Sequence, residues 1–352
     1  MSRDAMLSAL NLEMPERVPR TEYSAHFHWK LVEKVTGLHA DEASVPDVKE
    51  AASREFVRAW DYAFMWKTSL HNEQFKGVCT SMGHAAYVQG GSDLNYDVHK
   101  LFSDPEDVYD FDLLEQIGPI DVNAVIARCD ADFEAQKRKF PSCMNMTGIY
   151  ITCISGLIEL MGWETLLTAA GIDKLAFGSF VDRYCEWIKP CFYALAQTKS
   201  PLIMVHDDIV WGNGPFMAPE FYRQHVFSHY KELFAPLFDA GKKVLYTSDG
   251  NYSMFIDDIA ACGVHGFVME PSTDMKYIAD KYGKTHLFIG NADTNVLLMG
   301  SKQDIENEVR RCMDIGKACP GFIMAVGNHI PPNTPVENAL YYDEIYQKLA
   351  RR

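Results

Sequence analysis

Apolar and polar residues follow two regimes along the chain. Up to about residue 140 the apolar positions recur at helical spacing. His28–Gly37 (HWKLVEKVTG) and Val48–Trp66 (VKEAASREFVRAWDYAFMW) predict amphipathic helices, and Ser103–Asp112 (SDPEDVYDFD) an acidic turn or helix start. From about residue 143 short apolar runs take turns with longer amphipathic ones. MNMTGIYITCI, PLIMVHDDI, KVLYTSDGN, GFVMEP, HLFIGNAD and GFIMAVGN predict strands. WETLLTAAG, DKLAFGSFVDRYCEWIKPCFYALAQ, FYRQHVFSHYKELFAPLFDAG, MFIDDIAACG, MKYIADKYG and KQDIENEVRRCMDIG predict the intervening helices, several of them closed by Gly.

Short strands alternating with helices indicate parallel β/α units. Each later strand runs into polar or Gly-rich residues at its C-terminal end (HDD, SDGN, EP, GNAD, GNH), the end at which a (β/α)8 barrel builds its active site. An open doubly wound sheet also gathers ligands at strand ends. No G-x-G-x-x-G follows a strand and no G-x-x-x-x-G-K-[ST] is present, so the expectation is a TIM barrel. No Gly/Ser linker or fixed-period repeat divides the chain, which predicts one domain over 1–352 with a helix-rich part, 1–140, packed on the barrel.

Composition narrows the function classes. Of 352 residues 47% are hydrophobic and 23% charged, ordinary for a globular protein with a large core. Asp and Glu number 48 against 33 Lys and Arg, a net charge of −15, which disfavours nucleic acids and anionic membranes as partners. Polar residues interrupt every apolar run well short of the roughly 20 needed to cross a bilayer. The start, MSRDAMLSALNLEMPERVPR, has no apolar signal core. The nine cysteines are odd in number and form no C-x-x-C pair, which suits reduced thiols in a cytoplasmic protein.

The chemistry-bearing residues collect at the predicted strand ends. His206, Asp207 and Asp208 follow PLIMV; Tyr246 and Asp249 end the next strand; Glu270 follows GFVM; Asn291 and Asp293 follow LFIG; Asn328 and His329 precede a stiff Pro331-Pro332 turn. Each has an ordinary structural explanation, Asp293 as a helix cap and His206 as a satisfied core histidine among them. Their shared placement singles them out.

The succession S-D-G-N, E-P, F-I-G-N-A-D and G-N-H-I-P-P-N-T-P-V-E-N, with the opening PERVPRTEYS, resembles the uroporphyrinogen decarboxylase superfamily, most specifically in I-P-P-x-T-P-x-E-N (Ile330–Asn338). The resemblance implies a TIM barrel with additional N-terminal helices and one of two chemistries, cofactor-free tetrapyrrole decarboxylation or corrinoid-linked methyl transfer, usually with zinc. The decarboxylase branch implies an R-Q-A-G-R-like stretch where this chain has Thr21–His26, with Glu22 in place of positive charge, and His where it has Asn328. The methyltransferase branch implies H-x-C, Glu and Cys as zinc ligands; here the slots hold Tyr246 and Ser248, Glu270, and Asn328 beside His329. Without thiolates, any metal needs harder ligands drawn from Glu270, His329, Asp249, His206, Asp207 and Asp208, with Glu270, His329 and Asp249 as the leading set. O-demethylase members of the superfamily are the nearest parallel, because an ether needs only protonation or polarisation of its oxygen.

The resulting expectation is a methyltransferase that moves a methyl group from a small methoxylated aromatic compound to a corrinoid protein. Tyr246, Asp249, Glu270 and His329 form the catalytic set, and Tyr23, His26, His84, His206, Asp208 and Asn328 contact substrate. Met82-Gly83-His84, before Gly90-Gly91, is a candidate lid. The chain has no D-x-H-x-x-G corrinoid signature, so the cobalamin comes on a partner protein; zinc is a candidate cofactor and a homodimer a candidate assembly. Alternatives are a decarboxylase or lyase acting on another carboxylated substrate, and a non-catalytic corrinoid- or tetrapyrrole-binding protein.

Overall fold

The computed structural model describes residues 2–81 and 99–352. They form two compact units, one of Met1–Trp66, Glu134–Met146 and His265–Arg352, the other of Lys67–Phe133 and Thr147–Val264. In chain order the strands that matter here are β1 (Phe64–Met65), β2 (Met144–Asn145), β3 (Thr147–Ile149), β4 (Leu202–His206), β5 (Lys243–Thr247), β6 (Gly266–Val268), β7 (Leu287–Ala292) and β8 (Phe322–Val326).

The unit containing residues 147–264 carries β3, β4 and β5 side by side and parallel, with Ile149 opposite Val205 and Val205 opposite Tyr246. Leu70 adds a parallel bridge to Ile149. Parallel neighbours require crossovers. Helices Ser155–Ile172 and Lys174–Gln197 join β3 to β4, and Pro219–His225 and Phe227–Asp239 join β4 to β5. Asp173 fixes the start of the Lys174–Gln197 helix by accepting the N–H groups of Leu175 and Ala176, both at 3.0 Å.

The unit containing residues 265–352 carries β6, β7 and β8, also parallel, with Val268 opposite Ile289 and Ile323 opposite Ile289. Arg20 bridges in parallel to Met324 of β8 and to Tyr62, and β1 pairs with β2. Met275–Tyr282 links β6 to β7, and Lys302–Gly316, opened by a reciprocal Ser301–Asp304 capping box, leads to β8. Every residue of β7 and β8 is buried, as expected of strands covered on both faces.

Parallel β/α units are the class expected from the sequence. Three of the boundary differences are the following. The helix predicted over Val48–Trp66 is Pro46–Ala59, because Asp61 adopts a left-handed φ of 53° and turns the chain into β1. The run Met144–Ile154 is two short strands followed by the turn that starts the Ser155–Ile172 helix. The helix predicted over Phe221–Gly241 is interrupted at Val226, whose φ of −122° is not helical. Among the described residues no helix is long and apolar enough to cross a membrane.

Candidate functional site

In the unit containing β3, β4 and β5, three neighbouring strand ends deliver Tyr150, His206, Asp207, Asp208, Tyr246 and Asp249. Strand alternation sends Asp207 to the opposite side from His206 and Asp208. Asp207 is fully buried, and its carboxylate accepts the N–H of Ile154 (2.8 Å), the N–H of Ser155 (2.7 Å) and the hydroxyl of Tyr230 (2.5 Å). Burial raises its pKa, and those three donors act against that rise by favouring the carboxylate. Tyr246 is likewise fully buried and donates its hydroxyl to the Asp207 carbonyl at 3.1 Å. Burial holds its proton well above the ordinary range, and Asp207 adds to the effect. Both belong to the wall behind the strand ends.

His206 and Asp208 face the other way. Nε2 of His206 lies 3.0 Å from Oδ1 of Asp208, and the same oxygen accepts the Asp249 N–H at 2.8 Å. Ser155 Oγ accepts the Asp208 N–H at 2.7 Å, and Thr152 donates to the His206 carbonyl at 2.5 Å, so the strand end is fixed from the backbone. The Tyr150 ring sits 4.4 Å from the His206 ring. Its phenol pKa is raised by burial first and then by the negative charges of Asp208, Asp249 and Glu159. Ligand atoms of His206, Asp208 and Asp249 lie within 4.8 Å of one another.

In the unit containing β6, β7 and β8, the ends of the strands bring together Glu270, Asn291, Asn328 and His329. Asn328 donates its side-chain amide to Glu270 Oε1 at 2.6 Å, and its amide oxygen accepts the His329 N–H at 2.8 Å. Asn291 donates to the Glu270 carbonyl at 3.1 Å. Gly327 permits this approach, since a Cβ there would lie 2.4 Å from Pro271 Cδ and 3.1 Å from the Glu270 Cα. The half-buried His329 ring has its pKa lowered by burial, which keeps it neutral near pH 7. Tyr23 lies 5.8 Å from that ring and stacks on Trp66 at 4.2 Å with 7° between the planes. His26 is buried, its pKa pushed down to about 3 chiefly by burial, with Lys139 and His329 adding to the effect.

Behind these residues the segment Val18–Glu22 is bound to the helix Val336–Leu349. Arg20, fully buried, donates to Asp343 at 2.7 Å and to the Trp60 carbonyl at 2.5 Å. Glu22, also fully buried, accepts the Val326 N–H at 3.0 Å and the Tyr342 hydroxyl at 2.8 Å. Burial raises the Glu22 pKa to about 7 against the opposing pull of Arg20 and the two donors. Tyr346 donates to the Val18 carbonyl and the Val18 N–H to the Ala350 carbonyl, both at 2.8 Å.

The candidates from the sequence therefore fall into two groups: His206, Asp208, Tyr246 and Asp249 in one unit, and Tyr23, His26, Glu270, Asn328 and His329 in the other. His84 lies outside the described residues. The proposed metal set divides, with Asp249 in one unit and Glu270 and His329 in the other. Among the described residues the groups of three such donors are His206–Asp208–Asp249 and Glu186–His229–Glu232. Sequence reasoning passed over Tyr150, Ser155, Tyr230 and Tyr342. Tyr150 ends the strand run TGIY, so the rule that found Tyr246 applies to it; the other three lie on helices and carry no such signal.

The family model for uroporphyrinogen decarboxylase (URO-D) matches residues 102–348. The chain belongs to the uroporphyrinogen decarboxylase family. Curated relatives bearing that name include one from Thermus thermophilus, 30% identical over 218 residues (61% of this chain and 62% of the relative), and one from Syntrophotalea carbinolica, 29% identical over 158 residues (45% and 44%). The chain thus matches less than two thirds of the length of these relatives. Among solved structures, a methyltransferase from Methanosarcina mazei superposes over 99% of this chain and 98% of its own with a TM-score of 0.64 at 17% identity. That likeness shows the fold, the α/β TIM-barrel type expected for the family, and membership places the chain among enzymes of this superfamily.

Proposed function

We propose that this uroporphyrinogen decarboxylase family member is a methyltransferase that takes the methyl group of a small methoxylated aromatic compound and passes it to the corrinoid of a partner protein. The observation that carries this reading is the group of Glu270, Asn328 and neutral His329 beside the stacked Tyr23–Trp66 pair, with the nearby guanidinium of Arg20 enclosed between Asp343 and the Trp60 carbonyl. A polycarboxylate tetrapyrrole needs free cations to meet its charges. The stretch Thr21–His26 has Glu22 where the decarboxylase pattern implies positive charge and sets the Tyr23 ring beside His329, which suits an uncharged aromatic ether. The name of the Methanosarcina mazei neighbour agrees with this reading, and those of the curated relatives favour the decarboxylase alternative.

The chain's own residues have the following parts. Asn328 holds the Glu270 side chain in one orientation, from which its protonated form would donate to the ether oxygen. His329, kept neutral by its surroundings, donates an N–H bond to the same oxygen as negative charge grows on it. Tyr23 and Trp66 give the ring a flat face to lie on. The donor set His206, Asp208 and Asp249, one imidazole and two carboxylates, fits a borderline divalent ion such as zinc, which would supply Lewis-acid chemistry in that unit. No cysteine stands at these strand ends, so thiol activation is not the task. The partner's corrinoid supplies the nucleophilic cobalt that accepts the methyl group.

The test is spectroscopic: conversion of cob(I)alamin to methylcobalamin with a panel of methoxyarenes. Methylation by one or more donors supports the reading. No turnover with any donor, together with carbon dioxide release from a carboxylated substrate such as uroporphyrinogen, overturns it in favour of decarboxylation.

A further inference from the structure

The unit containing residues 147–264 has a second concavity that the chemistry above does not use. It lies between the helix Lys174–Gln197 and residues 109–120, with a volume of about 740 Å³. Its floor is apolar, with Phe111, Leu113, Trp187 and Pro190 among its residues, and Asp110, Asp112, Asp182 and Glu186 line it as well.

Two observations define what it suits. At 100° per residue, Leu175, Asp182, Glu186, Pro190 and Tyr193 lie within about 40° of one direction on the helix, a stripe roughly 27 Å long. Its ends are open, with Leu175 75% and Tyr193 48% exposed, and Leu114, on the opposite wall, is 62% exposed. Leu175 and Tyr193 are the exposed apolar side chains of this stripe, on the same helix face as the lining residues Asp182, Glu186 and Pro190. The lining is acidic on balance, with Asp110, Asp112, Asp182 and Glu186 against Arg183, and with Asp182 bonded to His225 Nδ1 (3.0 Å) and His229 Nε2 (2.9 Å). Arg183, which lines the groove, donates to the carbonyls of Tyr109 and Ser179, and Lys189 is paired with Glu186 and Glu232. That lysine already stands where a cation between Glu186, His229 and Glu232 would go, which argues against a metal there.

We propose that this groove docks a basic amphipathic helix of a partner protein, its apolar residues meeting Leu114, Pro190 and Tyr193 and its Lys or Arg residues meeting Asp110 and Asp112. A groove along one helix face, here with Glu186, Pro190 and Tyr193 at i, i+4 and i+7, suits a second helix as its occupant. A second copy of this chain, with its net charge of −15, brings charge of the same sign, as do nucleic acids and anionic lipids. The proposal is independent of the methyl-transfer reading.

The experiment uses the full chain and a labelled 18-residue peptide of Leu and Lys placed at amphipathic helical spacing, with binding read by fluorescence anisotropy. Two control peptides have the same Leu and Lys in scrambled order, or Glu for every Lys. The protein variants are Leu114→Ala/Tyr193→Ala, which leaves charge unchanged; Asp110→Lys; and Glu344→Lys, the same charge change on the helix Val336–Leu349. The amphipathic basic peptide is expected to bind at least about tenfold tighter than either control. Leu114→Ala/Tyr193→Ala and Asp110→Lys should each weaken it about five- to tenfold, with Glu344→Lys changing it little. Melting curves confirm that each variant is folded. Absence of peptide binding, equal binding of the scrambled peptide, equal loss in Glu344→Lys, or full displacement by spermidine would overturn the proposal, the last in favour of a small-cation site.

Discussion

The side-chain amide of Asn328 reaches Oε1 of Glu270 at 2.6 Å, joining two strand ends that are 58 residues apart in the chain. An amide in this position donates to the acid and, through its oxygen, accepts the N–H of the following histidine, so one residue orients both. A charge-assisted hydrogen bond of this kind contributes on the order of 1.5–3 kcal/mol.

Asn328→Ala should therefore lower the rate of methyl transfer by about 10- to 100-fold. Asn328→Asp should be at least as damaging, because it sets two carboxylates against each other. The change should fall on kcat more than on KM, since the orientation matters most in the transition state. Steady-state kinetics with the best donor from the panel is the check, and an effect confined to KM would contradict the orienting role.

Removing the acid or the imidazole itself should cost more. Glu270→Ala and His329→Ala are each expected to reduce methyl transfer at least about 100-fold, the lower end of general acid–base assistance. Isothermal titration with a bound but unreactive phenol should show little change in affinity.

The metal reading separates the two donor groups. Zinc titrated into the protein should bind less tightly, by tenfold or more, in His206→Ala or Asp249→Asn. Glu232→Gln, at the other three-donor group, should leave zinc affinity unchanged. Zinc affinity that ignores His206 and Asp249 would move the ion elsewhere.

Buried titratable groups predict a pH profile of stability with two opposing parts. The Glu22 pKa is raised in the folded state from 4.5 to about 7, so the folded chain holds this proton more tightly than the unfolded one. Its contribution is fully present below pH 4.5 and is lost as pH rises to about 7. His26, lowered from 6.5 to about 3, acts in the reverse sense: its contribution is present above pH 6.5 and is lost as pH falls towards 3. In melting temperatures measured from pH 4 to 8, the wild-type-minus-Glu22→Gln difference should decline with rising pH between 4.5 and 7. The wild-type-minus-His26→Leu difference should decline with falling pH below 6.5. The Nδ1 of His26 has no partner among the described residues, so His26→Leu should raise the melting temperature at pH 5. Flat difference curves would refute the burial of these charges.

Much of this arrangement could be read from apolar spacing. The runs PLIMV, KVLYT, GFV, LFIG and FIMAV are the cores of β4 to β8, since continuous apolar runs ended by polar residues leave few alternatives. The overrun of the helix through Trp60, Tyr62 and Phe64 has a physical cause. Apolar residues at helical spacing continued past Ala59, and only the left-handed Asp61 stopped the helix. The strand-end rule singled out Glu270, Asn328 and His329 in one unit and His206 and Asp208 in the other, and the structure sets them at strand ends. It did not distinguish Asp207 and Tyr246, which the same strand ends place inside the wall with Tyr230, from the residues facing outward. Partners on distant helices, such as Tyr342 for Glu22 across 320 residues, are set by tertiary packing and leave no local trace.

The binding of Val18–Glu22 to the helix Val336–Leu349 has a consequence for how the chain is made. Asp343 and Tyr342, which meet Arg20 and Glu22, are translated more than 300 residues after them. At roughly 5–20 residues per second, a ribosome takes on the order of 15–65 seconds to supply them. Until then a guanidinium and a carboxylate destined for complete burial lack the acid and the hydroxyl that meet them, so this segment cannot settle early, and the unit that contains it must complete its folding after the other unit's residues have all been synthesised.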